Sequence, residues 1–151
     1  MASRAARILD AVEAALRNID GTGGYLTAAG QQVRRGRAAR SVTDGLTLPA
    51  LVLRPGSETV VEAMPARVRV SFGMTVEALA AATDRFDAAL ADLVHDVRRA
   101  LMRLTPGEPP LDGLAQQVRL ESAEYTPLED GSDIAVAEIA LSVTYVDDLE
   151  G

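Results

Sequence analysis

The chain has 151 residues, the length of a single domain, and 48% of them are apolar, enough for a packed core. Cys and Trp are absent and aromatics make up 3%, which excludes disulfides, thiol catalysis and Cys-ligated metals and leaves an aliphatic core. The formal net charge of −7 argues against a uniformly basic nucleic-acid-binding domain.

That charge is unevenly placed. Residues 1–54 hold eight Arg and four acids, a net of +4, whereas residues 55–151 hold seven Arg and eighteen acids, a net of −11. An acidic body with one basic segment suits a protein that meets copies of itself, or other proteins, through complementary patches. All 15 basic residues are Arg, whose planar fork favours charged interfaces. No run of eighteen apolar residues occurs, so no membrane-spanning helix is expected. Asp10 and Glu13 interrupt the early apolar residues, so no secretory signal is expected either.

In chain order, Ile8, Val12, Ala15, Leu16 and Ile19 recur at helical spacing, which predicts a helix over Arg4–Asn18 with Ser3 as N-cap and Gly21 as stop. From Asp20 to Gly45 there is no sustained period. This stretch reads as a mobile loop over about 20–45, with Tyr25, Leu26 and Val33 as material for a short strand closing on the sheet. Leu46–Arg54 reads as a strand, Pro55-Gly56 as a turn and Glu58–Glu62 as a short extended segment. Val68, Val70, Phe72, Met74, Val76 and Ala78 alternate with mostly polar residues, the pattern of a long strand with one buried face, running to about Ala80. The period then changes. Phe86, Leu90, Leu93, Val97, Leu101 and Leu104 line one side of a second helix, capped by Thr83 or Asp84. Asp84 and Asp87 in its first turn and Arg98, Arg99 and Arg103 at its end suit the helix dipole. Pro106–Pro110 ends it. Two strands, about Val118–Thr126 and Ile134–Val146, then form a hairpin around Asp130-Gly131, followed by an acidic C-terminal tail of Asp147, Asp148 and Glu150.

These elements describe one α+β domain over 1–151, a mostly antiparallel four- to five-stranded sheet with two helices packed on one face. The expected core is Ile8, Val12, Leu16, Val70, Phe72, Phe86, Leu90, Leu93, Val97, Leu101, Ile139, Leu141 and Val143.

Chemistry is harder to find. The single His, His95, is flanked by Asp92 and Asp96, and could act as a base only with a nucleophile whose local motif is missing. Gly21-Thr22-Gly23-Gly24 lacks the Lys-Ser/Thr ending of a phosphate loop and follows a helix, so it reads as a helix stop. Asp130, Ser132 and Asp133 lack the spacing and closing Glu of a calcium loop. No catalytic residue, metal ligand set or cofactor site is expected. The one feature above background is the cluster Arg34, Arg35, Arg37 and Arg40, four like charges suited to DNA phosphate or to an acidic protein surface.

In size and element order the chain resembles the tail terminator (tail completion) proteins of long-tailed bacteriophages. Four stretches carry the likeness: Leu48–Leu53 with Gly56-Ser57-Glu58, the strand Val68–Phe72, the helix end Asp92–Leu101, and the final strand Ala135–Tyr145. The resemblance implies a structural virion protein and no enzyme. Its members form a hexameric ring on the head-proximal end of the tail tube, stop tube polymerisation and join the tail to the head connector. It implies a homo-oligomer, a tail tube protein and a connector or neck protein as partners, non-specific contact with DNA in the lumen, and no membrane. Location would be the virion neck, after assembly in the host bacterial cytoplasm. Another neck, head-completion or minor tail protein is the alternative, and a small enzyme or ligand-binding domain around His95 the more distant one.

Overall fold

A computed structural model describes residues 2–36, 47–104 and 110–150. The first helix, α1, spans Arg4–Arg17, and the Ser3 hydroxyl accepts the Ala6 amide at 3.2 Å, one of the donors a helix start leaves open. Ile8, Val12, Ala15 and Leu16 form its buried stripe. The chain does not then wander. A 3-10 turn over Ala29–Gln31 leads into a short strand, β1, over Val33–Arg35. Gly30 fixes this path: its amide donates to the Ile19 carbonyl at 2.8 Å. A Cβ there would sit 2.6 Å from the carbonyl oxygens of Arg17 and Ile19, closer than real contacts allow. The open loop expected from residue 20 is therefore ordered structure as far as residue 36, and its remainder, 37–46, lies outside the described residues.

Strand β2 runs unbroken over Ala50–Met64 and pairs with β3, Arg67–Ala81. The turn expected at Pro55-Gly56 is instead a bulge, with the register jumping between Pro55 and Glu58. Pro brings no N–H to a ladder and sits well at a bulge. Gly56 passes so near Gly73 that a Cβ would lie 2.9 Å from the Gly73 carbonyl oxygen. A tight turn at Pro65-Ala66 reverses the chain, with Ala66 at φ 64.

Helix α2 spans Phe86–Met102. Arg85, not Thr83 or Asp84, occupies the N-cap and offers no side-chain cap, so of the two acids only Asp87 lies in the first turn. A 3-10 turn over Pro110–Gly113 leads to β4, Gln117–Tyr125, and then to β5, Ile134–Asp148. The expected acidic tail is shorter than read: Asp147 and Asp148 are still in β5, opposite Val68 and Arg67, and Asp148 reaches Arg67 at 4.0 Å.

The five strands stand in the order β1-β2-β3-β5-β4. Only the β1–β2 pair is parallel, and the other three are antiparallel. The fold is α+β, as the two periodicities predict. Both helices share one core with a single sheet face: Ile8, Val12 and Leu16 from α1, Leu90, Leu93, Val97 and Leu101 from α2, Leu51 and Leu53 from β2, Val70, Phe72, Met74 and Val76 from β3, Ile139, Leu141 and Val143 from β5. Phe86 is only half-buried at its margin. Each fully buried Leu or Ile contributes roughly 1.5–3 kcal/mol. The other sheet face carries a small apolar cluster of Ala50, Val52, Leu79 and Ile134 at one end and is otherwise mainly polar.

Candidate assembly surfaces

Four surfaces could meet a partner. The first is the Arg segment. Arg34 and Arg35 lie on β1, both exposed, while Arg37 and Arg40 lie outside the described residues. Parallel pairing of β1 with Leu51–Leu53 sets Arg35 beside α1, where its Nη1 donates to Asp10 at 2.6 Å and Glu13 at 3.4 Å. Glu13 also holds Arg17 at 3.0 Å, and Arg17 donates to the Val33 carbonyl at 3.0 Å. Of the cluster read as one loop, Arg35 is thus engaged by the acids of α1.

The second is the sheet face away from the helices. The register sets Glu77, Glu138 and Glu124 in one row across β3, β5 and β4. Like charges directly opposite repel. Arg54 on β2 relieves part of this, pairing with Glu77 and lying 3.6 Å from Glu138. Further along, Ser142 donates to Glu121 at 2.8 Å and Arg69 pairs with Glu62 at 2.7 Å.

The third is the β2–β3 arm. β1 covers β2 only at Leu51–Leu53, so the outer edge of β2 beyond this has no strand beside it among the described residues. Val60, Val61 and Met64 there are 58%, 54% and 39% exposed. The arm is braced from behind by Tyr145, whose hydroxyl donates to Glu58 at 2.8 Å. Burial pushes that phenol's pKa up, and the hydrogen bond and charge of Glu58 and the charge of Asp147 add to the rise.

The fourth is a groove of about 740 Å³ between α1, the end of α2 and the segment around Leu111. Ala11, Ala14, Leu104 and Leu114 supply apolar walls, with Arg7 and Arg103 beside them. Its far wall is the chain after α1, held by two devices. Asp20 accepts the hydroxyl and amide of Thr22 at 2.7 and 2.9 Å, which lowers its pKa. Tyr25 lies under the guanidinium groups of Arg99 and Arg103, 5.6 and 5.7 Å from the ring centroid.

His95 is exposed on α2. Asp96 does not orient it: that carboxylate is fully buried and accepts the amides of Leu26 and Thr27 at 2.9 and 2.8 Å and the Thr27 hydroxyl at 2.7 Å. Among the described residues no group of three or more His, Asp and Glu is placed to hold a metal ion, and no helix is long and apolar enough to cross a membrane.

Sequence reasoning found the Arg segment but neither the arm nor the groove. Val60 and Val61 look like core residues in one dimension, and the groove exists only once two helices cross. A signal for Asp96 was present: it falls between Leu93, Val97 and Ala100, a carboxylate within the apolar stripe.

No protein-family model matches the chain, and no curated protein does. Its fold is shared with a chain in the virion of the native gene transfer agent (GTA) particle, at a TM-score of 0.63 and 15% identity over 97% of this chain and 99% of that one.

Proposed function

We propose that this chain is a structural protein of a phage-like virion and acts as its tail terminator. It assembles as a ring, hexameric by the resemblance, on the head-proximal end of the tail tube, stops tube polymerisation and joins the tail to the head connector. The observation that carries this reading is the end-to-end likeness of the fold to a chain of the GTA virion, over 97% of one chain and 99% of the other. The element order noted in the sequence and the segregation of charge into a +4 and a −11 segment support it. A ring needs one patch to meet a different patch on the next copy, and one copy carries several different surfaces, among them the β2 edge and the α1–α2 groove. In such a ring the Arg segment would face DNA in the lumen or an acidic partner surface.

The GTA likeness names a whole particle and so also suits a neck or head-completion protein. Purified tail tubes and purified connector rings separate the two. A terminator binds tube ends and blocks their growth, whereas a head-completion protein binds the connector and leaves tubes growing. In the more distant reading of a small enzyme built on His95, Asp96 is not the carboxylate that would orient the imidazole, since it is taken up by the chain after α1.

A further inference from the structure

The sheet has two rims. β2 forms one beyond its short pairing with β1, and β4 forms the other, with no strand outside either among the described residues. A rim of unpaired backbone N–H and C=O groups is a template for a strand of another chain. Val60 and Val61, exposed and β-branched on β2, are the kind of residues that accept one. The central pair β3–β5 matches fifteen residues to fifteen without a break. Every register shift between the described strands falls instead on a rim strand: between Pro55 and Glu58 and between Val60 and Glu62 on β2, and between Leu120 and Ser122 on β4.

Each of these three bulges has a Glu tied back to a strand further in. Glu58 accepts the Tyr145 hydroxyl of β5 at 2.8 Å, and Glu62 accepts the Arg69 guanidinium of β3 at 2.7 Å. Glu121, the extra residue of the β4 bulge, accepts the Ser142 hydroxyl of β5 at 2.8 Å.

We infer that these clasped bulges close both rims to strand addition, so that this chain meets copies of itself and other proteins through side chains and not by extending its sheet. The extra residue of a bulge stands out of the ladder, bends the strand and raises its twist, so a straight incoming strand loses register on passing it. Pro55 also has no N–H to offer. The three ties decide which residue is left out and hold the bulge there. Val60, Val61 and Met64 remain free to touch a partner with their side chains, while the backbone beneath them is a poor template. This property is independent of ring formation and of the partner's identity.

Deleting Val61 or Glu121 removes one extra residue and keeps the flanking residues opposite their present partners, Val60 and Glu62 opposite Val70 and Arg69, and Leu120 and Ser122 opposite Leu141 and Ala140. The two deletions, singly and together, are checked for folding by circular dichroism. They are then compared with the unmodified chain at equal concentration for the infrared band of intermolecular sheet and for binding of an amyloid dye. Folded deletion variants should show about tenfold or more of both signals, and the double deletion the most. Glu121→Gln, which keeps an acceptor oxygen for Ser142, should behave as the unmodified chain does. Folded deletion variants with no more intermolecular sheet than the unmodified chain overturn the inference. Should the deletions fail to fold, the unmodified chain decides: at high concentration it should give no intermolecular sheet band, and a strong band there overturns the inference as well.

Discussion

Thr27 and Asp96, 69 positions apart, are joined twice: the Asp96 carboxylate accepts the Thr27 amide at 2.8 Å and its hydroxyl at 2.7 Å. With the Leu26 amide added at 2.9 Å, one buried side chain stands in for the missing ladder of an irregular segment and pins it to α2. Replacing Asp96 by Ala removes the one acceptor of three part-buried donors and leaves a void where the buried carboxylate was, at a cost of about 2–4 kcal/mol. Denaturant unfolding should show that loss. Amide exchange should show Leu26 and Thr27 losing protection before the sheet does. Unchanged protection at these two amides would mean that other contacts hold the segment.

Ala66 is a second local test. Its φ of 64 is a conformation that costs a residue with a Cβ roughly 1–2 kcal/mol, while Gly pays about 0.5–1 kcal/mol more chain entropy on folding. Ala66→Gly should therefore raise stability by about 0.5–1 kcal/mol, read as a higher denaturation midpoint with an unchanged slope. Gly30→Ala should do the opposite and cost more than 1 kcal/mol, since its Cβ would meet two carbonyl oxygens.

Tyr145 gives the molecule an alkaline limit. Its pKa is raised above the ordinary 10.0, first by burial and then by Glu58 and Asp147. The unfolded chain loses this phenolic proton at lower pH than the folded one, so the folded state binds more protons above pH 10. The corresponding stability is complete below the ordinary value of 10.0 and is lost as pH rises through the raised value. Tyr145→Phe should flatten the fall in stability above pH 10, and tyrosinate absorbance should show one of the three tyrosines titrating late. Parallel falls in both proteins would place the alkaline sensitivity elsewhere.

Changing Arg34, Arg35, Arg37 and Arg40 together to Ser should barely alter folding. The one pairing among them that the structure defines in detail, Arg35 with Asp10 and Glu13, is exposed, and such pairs contribute about 0–1 kcal/mol. Docking to tube ends or retention of DNA should weaken, and salt should no longer modulate it as strongly. A loss of several kcal/mol in stability would make the segment structural instead.

What the sequence made legible follows from what is periodic. β3 and β5 were readable because one face of each is buried, so that Val70, Phe72, Met74 and Val76, or Ile139, Leu141 and Val143, alternate with more polar neighbours. The two helices were readable for the same reason at the other period. β2 was not readable as one strand. Pro55-Gly56 is a local turn signal, overridden because Gly56, having no Cβ, lets the two backbones close around a bulge opposite Gly73. β1 was readable only in part: Val33 was expected in a short strand closing on the sheet, but Tyr25 and Leu26 lie outside that strand, and its parallel pairing with Leu51–Leu53 has no local pattern. Of the surfaces, the Arg segment was visible as charge, but its bond to Asp10 spans 25 positions and needed the fold. The exposure of Val60 and Val61 also needed it, because their apolar side chains carry no local sign of lying at the surface.

The central claim, that this chain closes a tail tube and does so as a ring, is tested most directly by adding it to growing tubes of its cognate tube protein and imaging their ends by negative stain. The account predicts a ring of density at one end only and elongation that stops there, with His95→Ala behaving as the unmodified protein does. Tubes that keep growing at the same rate, with bare ends at saturating protein, would contradict it.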